Sequence, residues 1–381
     1  MASFDVKAYI TGAKCLEPGG PVCHPGDAVF VGTDGQFYNP QTESPIAAPV
    51  KNTNIEFHVD KRGGTENIVL PAYLKSARIW LVADGESLVF SAHVDGGNLF
   101  MDMPSATTDA TDPNHNRRFS FVEFDSNPDE LYANLSFVDW VSLVLGISLK
   151  TKNGTEPQTI PGLMKDSVDN ICKAVQELGG AWAGLCIKRA EDQQTLRILS
   201  PNLNNSLHQD FIPDYYDKYV NAVWERYINT QDDGNCHKVD KGHEVKCQVD
   251  VGTQNLTCDA GTPNQYLKPT TADIWGCDSG PFKIDGNDEI SKEIVSRISA
   301  SFVRSTLLLD GGDIQPSVGM AKYYNPGGDY PTNQYSRIVH EHLINGMGYA
   351  FAYDDVNPVG ENAAGVLKSP DADTLTVYVG E

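Results

Sequence analysis

Two carboxylates stand where an apolar run would be expected to continue: Glu123 within FSFVEF and Asp139 within LSFVDWVSLVL. An acid buried without a partner is costly, so one set among Phe, Val and Trp calls for a reason. Glycoside hydrolysis supplies one. It needs a protonated carboxyl to give a proton to the leaving oxygen and an ionised one to act as base or nucleophile. A purely structural reading competes with this: Asp139 as a strand-end acid bonded to backbone, and Glu123 as an exposed edge residue.

The elements that must hold the pair are strands. Alternation puts Phe119, Phe121 and Glu123 on one face and Ser120, Val122 and Phe124 on the other. The following run reads as one strand from Tyr132 to Val141, with Ala133, Leu135, Phe137, Asp139 and Val141 sharing a face. Between the runs, the stretch from Asp125 to Asp129 is a cluster of turn formers. The expectation is two antiparallel neighbours, each presenting one acid. Arg117 and Arg118 open the first strand, either as a solvated start or as a pair that keeps a carboxylate ionised. Asn134 begins an Asn-x-Ser/Thr sequon, and its parity predicts a glycan that points away from Asp139.

Around this centre, residues 1 to about 150 hold short β-rich runs, AYITG, AVFVG, NIEFHV, NIVLP, ARIWLVA and LVFSA, separated by turn residues. The period then becomes helical. SVDNICKAVQELGG repeats apolar positions at helical spacing and ends on two glycines; further helices are expected from Pro213 to about Asn229 and from about Asp288 to Leu309. The stripe of Tyr216, Tyr219, Trp224 and Tyr227 reads as core and not as a sugar platform. LRILS reads as a strand and residues 231–280 as a Cys-rich loop region. Two last strand patterns, Gly348 to Val356 and Leu375 to Gly380, are expected to rejoin the first sheet, since a lone strand pair is rarely stable. The predicted fold is mainly β with an inserted mixed α/β domain. Residues 1–165 plus 335–381 form a β-sandwich or barrel, 166–334 form the α/β unit, and a cleft between them takes the ligand.

Composition narrows the partners. With 51 acidic against 29 basic residues and a net charge of −22, the chain is unsuited to nucleic acid, which requires clustered positive surface. No stretch reaches the roughly 18 to 20 apolar residues of a membrane span. MASFDVKAYITG has neither a positive start nor an apolar leader core. Eight cysteines combined with sequons at Asn134, Asn153, Asn204 and Asn255 nevertheless predict an extracellular, disulfide-bonded glycoprotein expressed in mature form. Four disulfides can form; proximity favours Cys15 with Cys23. Cysteine spacing without a C-x-x-C pair argues against zinc, and His340 and His342, two apart, read as structural. No metal, cofactor or oligomer is indicated.

The blocks FVEF, LYANLSFVDWVSLVLGISL, LRILSPN, YYDKYVNAVW, TTADIWGC, SFVRSTLL, VHEHLINGMGYAFAYDDV and LTVYVG resemble, in order along the chain, glycoside hydrolase family 64. These are the laminaripentaose-producing β-1,3-glucanases, related in fold to thaumatin-like proteins. The resemblance implies a thaumatin-like fold and an inverting, cofactor-free hydrolase acting on β-1,3-glucan and laminarioligosaccharides. Glu123 would be its general acid. Asp139, sixteen positions later (139 minus 123), would be its general base. It further implies that Asp125, Asn127, Tyr132 and Ser136 lie along the sugar subsites, with Asp125 standing where relatives carry a neutral hydroxyl. Asp354 and Asp355 match a segment also seen in thaumatin-like proteins, whose cleft is acidic; one of them would face the cleft, the alternative being a strand-end turn acid. A non-catalytic, thaumatin-like glucan-binding or antifungal protein is the alternative.

Overall fold

The computed structural model describes residues 5–14, 27–154, 156–208, 211–228, 237–240, 244–325, 327 and 329–380. Antiparallel sheets dominate and a few helices pack on them. The largest sheet has eight strands, in the order Leu367–Ser369, Leu131–Leu135, Phe119–Ser126, Lys75–Val82, Val6–Ala13, Ala28–Val31 and Phe37–Tyr38, with Phe57–Val59 also paired to Val6–Ala13. The acid-bearing strand Phe119–Ser126 lies inside it, flanked on both sides. Its predicted alternation holds. Phe119 and Phe121 pack with Trp80 and Trp140 on the face that carries Glu123, and Val122 and Phe124 are buried behind.

The C-terminal strand Ala372–Val379 does not rejoin the first sheet but pairs with Leu145–Thr151 in a separate three-stranded sheet with Gln158–Ile160; Leu367–Ser369 joins the eight-stranded sheet beside Leu131–Leu135. Gly348 to Val356 is not a strand. After one bridge at Tyr349 the segment turns, because the Asp354 carboxylate accepts the Ala350 N–H and curls the backbone. NIVLP is likewise irregular. Residues 231–280 are more ordered than a loop region. Where described, they form the strands His237–Asp240, Glu244–Val249, Leu256–Cys258 and Gln265–Tyr266 of one sheet, and the short helix Thr271–Gly276.

Of the expected helices, Ser167–Leu178 buries Val168, Ile171, Cys172 and Val175 and stops at Gly179, whose φ of 70° suits glycine. Asp217–Ile228 buries the aromatic stripe as core. Glu289–Val303 begins on Asp288, whose carboxylate accepts the Ser291 N–H at 2.8 Å, and ends short of Leu309 near a left-handed Ser305. The sequence reading missed the helices Pro201–His208 and Gln334–His342, as it did the short helices Gly180–Ala183 and Thr271–Gly276. Gln334–His342 proves important to the site.

Two disulfides join described residues, Cys172 to Cys186 and Cys247 to Cys258. The second closes directly paired strands, which accounts for the eleven-residue spacing. Cys277 is buried without a disulfide among the described residues, and burial pushes its thiol up to about 12, so it is no nucleophile at neutral pH. Eight cysteines allow four bridges; the described residues hold two of them. The pairing of Cys15 with Cys23 lies outside the described residues.

Candidate active site

Glu123 sits in the middle rung of three strands, directly opposite Arg78 on one side and Asn134 on the other. Opposed residues point to the same face, so the three side chains stand in a row. Arg78 donates to Glu123 Oε1 from both Nε, at 3.3 Å, and Nη2, at 3.1 Å. Its guanidinium lies 4.3 Å from the centre of the Phe121 ring. Glu123 is therefore neither a free edge residue nor a buried orphan.

Asp139 reaches the site by a route that differs from the expected one. The second strand ends at Leu135 and does not run on to Val141. Ala133 and Leu135 oppose Phe124 and Val122, on the face away from Glu123. A straight strand would have put Asp139 on that wrong face. Instead the chain leaves the sheet, and other elements supply its backbone partners. Tyr349 accepts the Phe137 N–H and donates to Leu135 O, the Tyr335 hydroxyl donates to Phe137 O at 2.6 Å, and Ser200 N donates to Asp139 O at 2.8 Å. Trp140 then packs on Phe119 and Phe121. Gly348 allows the close approach, since a Cβ there would come within 2.9 Å of Phe137. The detour brings Asp139 within electrostatic reach of Arg78. Burial raises the Asp139 pKa above the ordinary aspartate value, and the Arg78 charge works against that rise.

Arg78 was missed from sequence, although a signal existed: in ARIWLVA it shares strand parity with the buried Trp80. Arg117 and Arg118 do not serve the pair. They bind Glu86 and Asp84.

The structure divides the remaining candidates. Tyr132 stands on the face of Glu123, and its hydroxyl lies 3.1 Å from that of Tyr349, which in turn hydrogen-bonds Asp355. Asp355 is exposed, yet its carboxyl is crowded, and lost hydration raises its pKa. Asp125 is exposed at the strand end and accepts the Ser76 N–H. Asn127 closes the hairpin by accepting the Asp129 and Glu130 N–H groups, and Ser136 is buried beside the Tyr349 bridge. Asp354 is a correction. Its side chain is 0% exposed and is engaged by Arg304 at 2.9 Å, His340 at 2.8 Å and Ala350 N at 2.8 Å, so no sugar can touch it. It shapes the loop that carries Tyr349 and Asp355. His340 and His342 are structural, each holding a backbone carbonyl through Nδ1.

Asn134 is a second correction. It shares the face of Glu123 and is 5% exposed, so a glycan there would have to fill the site and not point away. In a glycosylating host, the folded chain is expected to carry a bare Asn134. Peptide mass mapping checks this, and a glycan at Asn134 on active protein would contradict the strand register.

Next to Asp139, a small recess is lined by Val138, Ser200, Asn202, Trp275, Asn333 and Tyr335, among others. The site thus holds two carboxyls on an antiparallel β scaffold, Glu123 hydrogen-bonded by Arg78 and Asp139 largely removed from water, both within reach of the Arg78 charge. Two carboxyls in unlike surroundings are what acid/base hydrolysis requires.

A family model described as Glyco_hydro_64, beta-1,3-glucanase, matches residues 2–379, and the chain belongs to that family. Among curated proteins, it is 27% identical over 276 residues to a glucan endo-1,3-beta-glucosidase of Cellulosimicrobium cellulans, and equally to one of Arthrobacter sp. (strain YCWD3). These matches cover 71% of this chain and 47% of each relative, so the chain spans about half the length of the curated relatives it matches. Among solved structures, a laminaripentaose-producing β-1,3-glucanase in complex with laminaritetraose superposes with a TM-score of 0.76 at 20% identity, covering 99% of this chain and 94% of that one. A β-1,3-glucanase domain from Clostridium beijerinckii gives 0.74 at 19% identity, with the same coverage. At these identities the structural likeness establishes the fold.

Proposed function

We propose that this chain hydrolyses β-1,3-glucan by inversion, with Glu123 as general acid and Asp139 as general base. The observation that carries the proposal is that two carboxyls from separate segments share one guanidinium's field, Glu123 in direct contact with Arg78 and Asp139 within reach of its charge, in unlike surroundings. Unlike surroundings are what separates an acid from a base; which carboxyl takes which role follows the family resemblance of the FVEF and FVDW blocks. Family membership supports the substrate, and the laminaritetraose complex of the structural neighbour supports an oligosaccharide-sized groove. Asp139, raised by burial and restrained by Arg78, suits a base that must be ionised yet avid for a proton. Tyr132, Tyr349 and Asp355 would bind sugar hydroxyls along one wall, and Asp125 and Asn127 would lie at its end. The same reading gives a short product such as laminaripentaose, an extracellular site of action, and a thaumatin-like cleft between a β unit built from both ends of the chain and the helical middle. Pairing of Ala372–Val379 with Leu145–Thr151 supports that division.

Proton NMR of a laminarin digest, followed from the first minutes, tests the mechanism. The α-anomer should appear first, because inversion at a β-linkage creates it. Initial β-anomer would require a retaining route. Binding to insoluble glucan with no sugar released would instead identify a non-catalytic binding protein.

A further inference from the structure

Arg78 donates to Glu123, and its charge also acts on Asp139. Both of its contacts with Glu123 fall on Oε1, and among the described residues Oε2 has no hydrogen bond. The guanidinium is itself braced against the Phe121 ring and, at 5.6 Å, the Trp80 ring, which limits its freedom to follow a moving partner. A neutral carboxyl keeps one acceptor oxygen and one O–H. A fork held on Oε1 therefore leaves Oε2 as the oxygen that carries the transferable proton.

We propose that Arg78 is the positioning residue of this site: it fixes the Glu123 carboxyl so that Oε2 presents the proton, and its charge acts on Asp139 as well. The inference rests on the acid and base roles given above. The other titratable groups around the pair are few. Tyr132 and, along the same strand face, Asp125 lie near Glu123; Tyr335 lies near Asp139; Asp355 is linked through Tyr349 to Tyr132. None of these is a cation. With Arg78 removed, burial alone acts on Asp139 and its pKa climbs. The base must be ionised to work, so the acid limb of kcat/KM moves to higher pH.

The test compares R78Q and R78K with the wild-type chain in the hydrolysis of soluble laminarin across pH. R78Q is expected to lose about tenfold or more in kcat with little change in KM, and to shift the acid limb upward by about one pH unit. R78K keeps the charge but not the fork, so its acid limb should stay within a few tenths of a unit while kcat falls about threefold or more. An unmoved limb in R78Q, or equal shifts in both variants, overturns the proposal. If R78Q does not fold, R78K decides, because wild-type kcat in R78K would remove the orienting role. A wild-type chain that releases no sugar overturns the acid and base roles themselves. An active wild type with an unmoved R78Q limb overturns only the role of Arg78.

Discussion

Replacing Glu123 by Gln is expected to lower kcat on laminarin by roughly 10²- to 10⁴-fold, with KM changed by less than about threefold. Glutamine keeps the length of the side chain and an oxygen that can still accept from Arg78, so the groove should persist. What disappears is the proton, which matters in the transition state far more than in the bound ground state. A substrate with an activated leaving group, such as a dinitrophenyl β-laminarioligoside, needs no proton from the enzyme. On it, E123Q should recover most of its rate, whereas D139N, lacking the base, should stay slow. The reverse pattern would exchange the two roles, an assignment that the burial of Asp139 by itself favours. Full turnover by E123Q on laminarin would sink the site altogether. The carboxyls and Arg78 are close enough to couple, so combined variants will not lose activity additively.

The second large effect is on stability. Asp354 and Arg304 are both almost wholly buried, with side chains 0% and 3% exposed, and His340 completes the cluster. Arg304 also donates to the carbonyls of Asp354 and Val356 and lies 4.1 Å from the Tyr323 ring centre. Asp354→Asn removes the counter-charge and leaves a buried cation, a change that costs about 3 to 5 kcal/mol. Its pH signature follows from the shifts. His340 and Arg304 hold the Asp354 pKa down, so that part of the stability is present above the unfolded aspartate value of about 3.9 and is lost as pH falls through the lower folded value. His340 is shifted the other way by Asp354, outweighing burial. Its contribution is complete below about 6.5 and is lost as pH rises through the higher folded value. The difference in Tm between wild type and D354N should therefore be widest between about pH 4 and 6.5 and narrow on both flanks. A difference independent of pH would mean that packing, not charge, holds the loop. Because that loop carries Tyr349 and Asp355, loss of the cluster should also loosen one wall of the groove.

Much of the local structure was legible in the chain. The period-two pattern of Phe119 to Phe124 determined the strand and the face of Glu123, since a strand buried in a sheet must put its large apolar groups inward. The helical spacing of Val168, Ile171, Cys172 and Val175 did the same for the first long helix. The two acids themselves were visible because a charge in an apolar run stands out. Less local features were not. That Gly348 to Val356 curls was hidden, because its apolar alternation suits a strand and only the distant Arg304 and His340, meeting at Asp354, make the turn favourable. That Cys247 and Cys258 join neighbouring strands could not be chosen from among so many pairings.

The clearest division lies at the site. Sequence alone determined which carboxyls were present, on what kind of element Glu123 sits, and the family to which the chain belongs. Tertiary structure decided that Asp139 leaves the sheet and comes within electrostatic reach of Arg78, since continuing the strand by parity would have carried it to the face away from Glu123. It also decided that Arg78 and Asn134 flank the acid. Alternation along a strand specifies direction only while the strand lasts, and where it ends is determined by hydrogen-bond partners. Here those partners are Tyr349, Tyr335 and Ser200, remote in sequence and brought to residues 135–139 only by the fold.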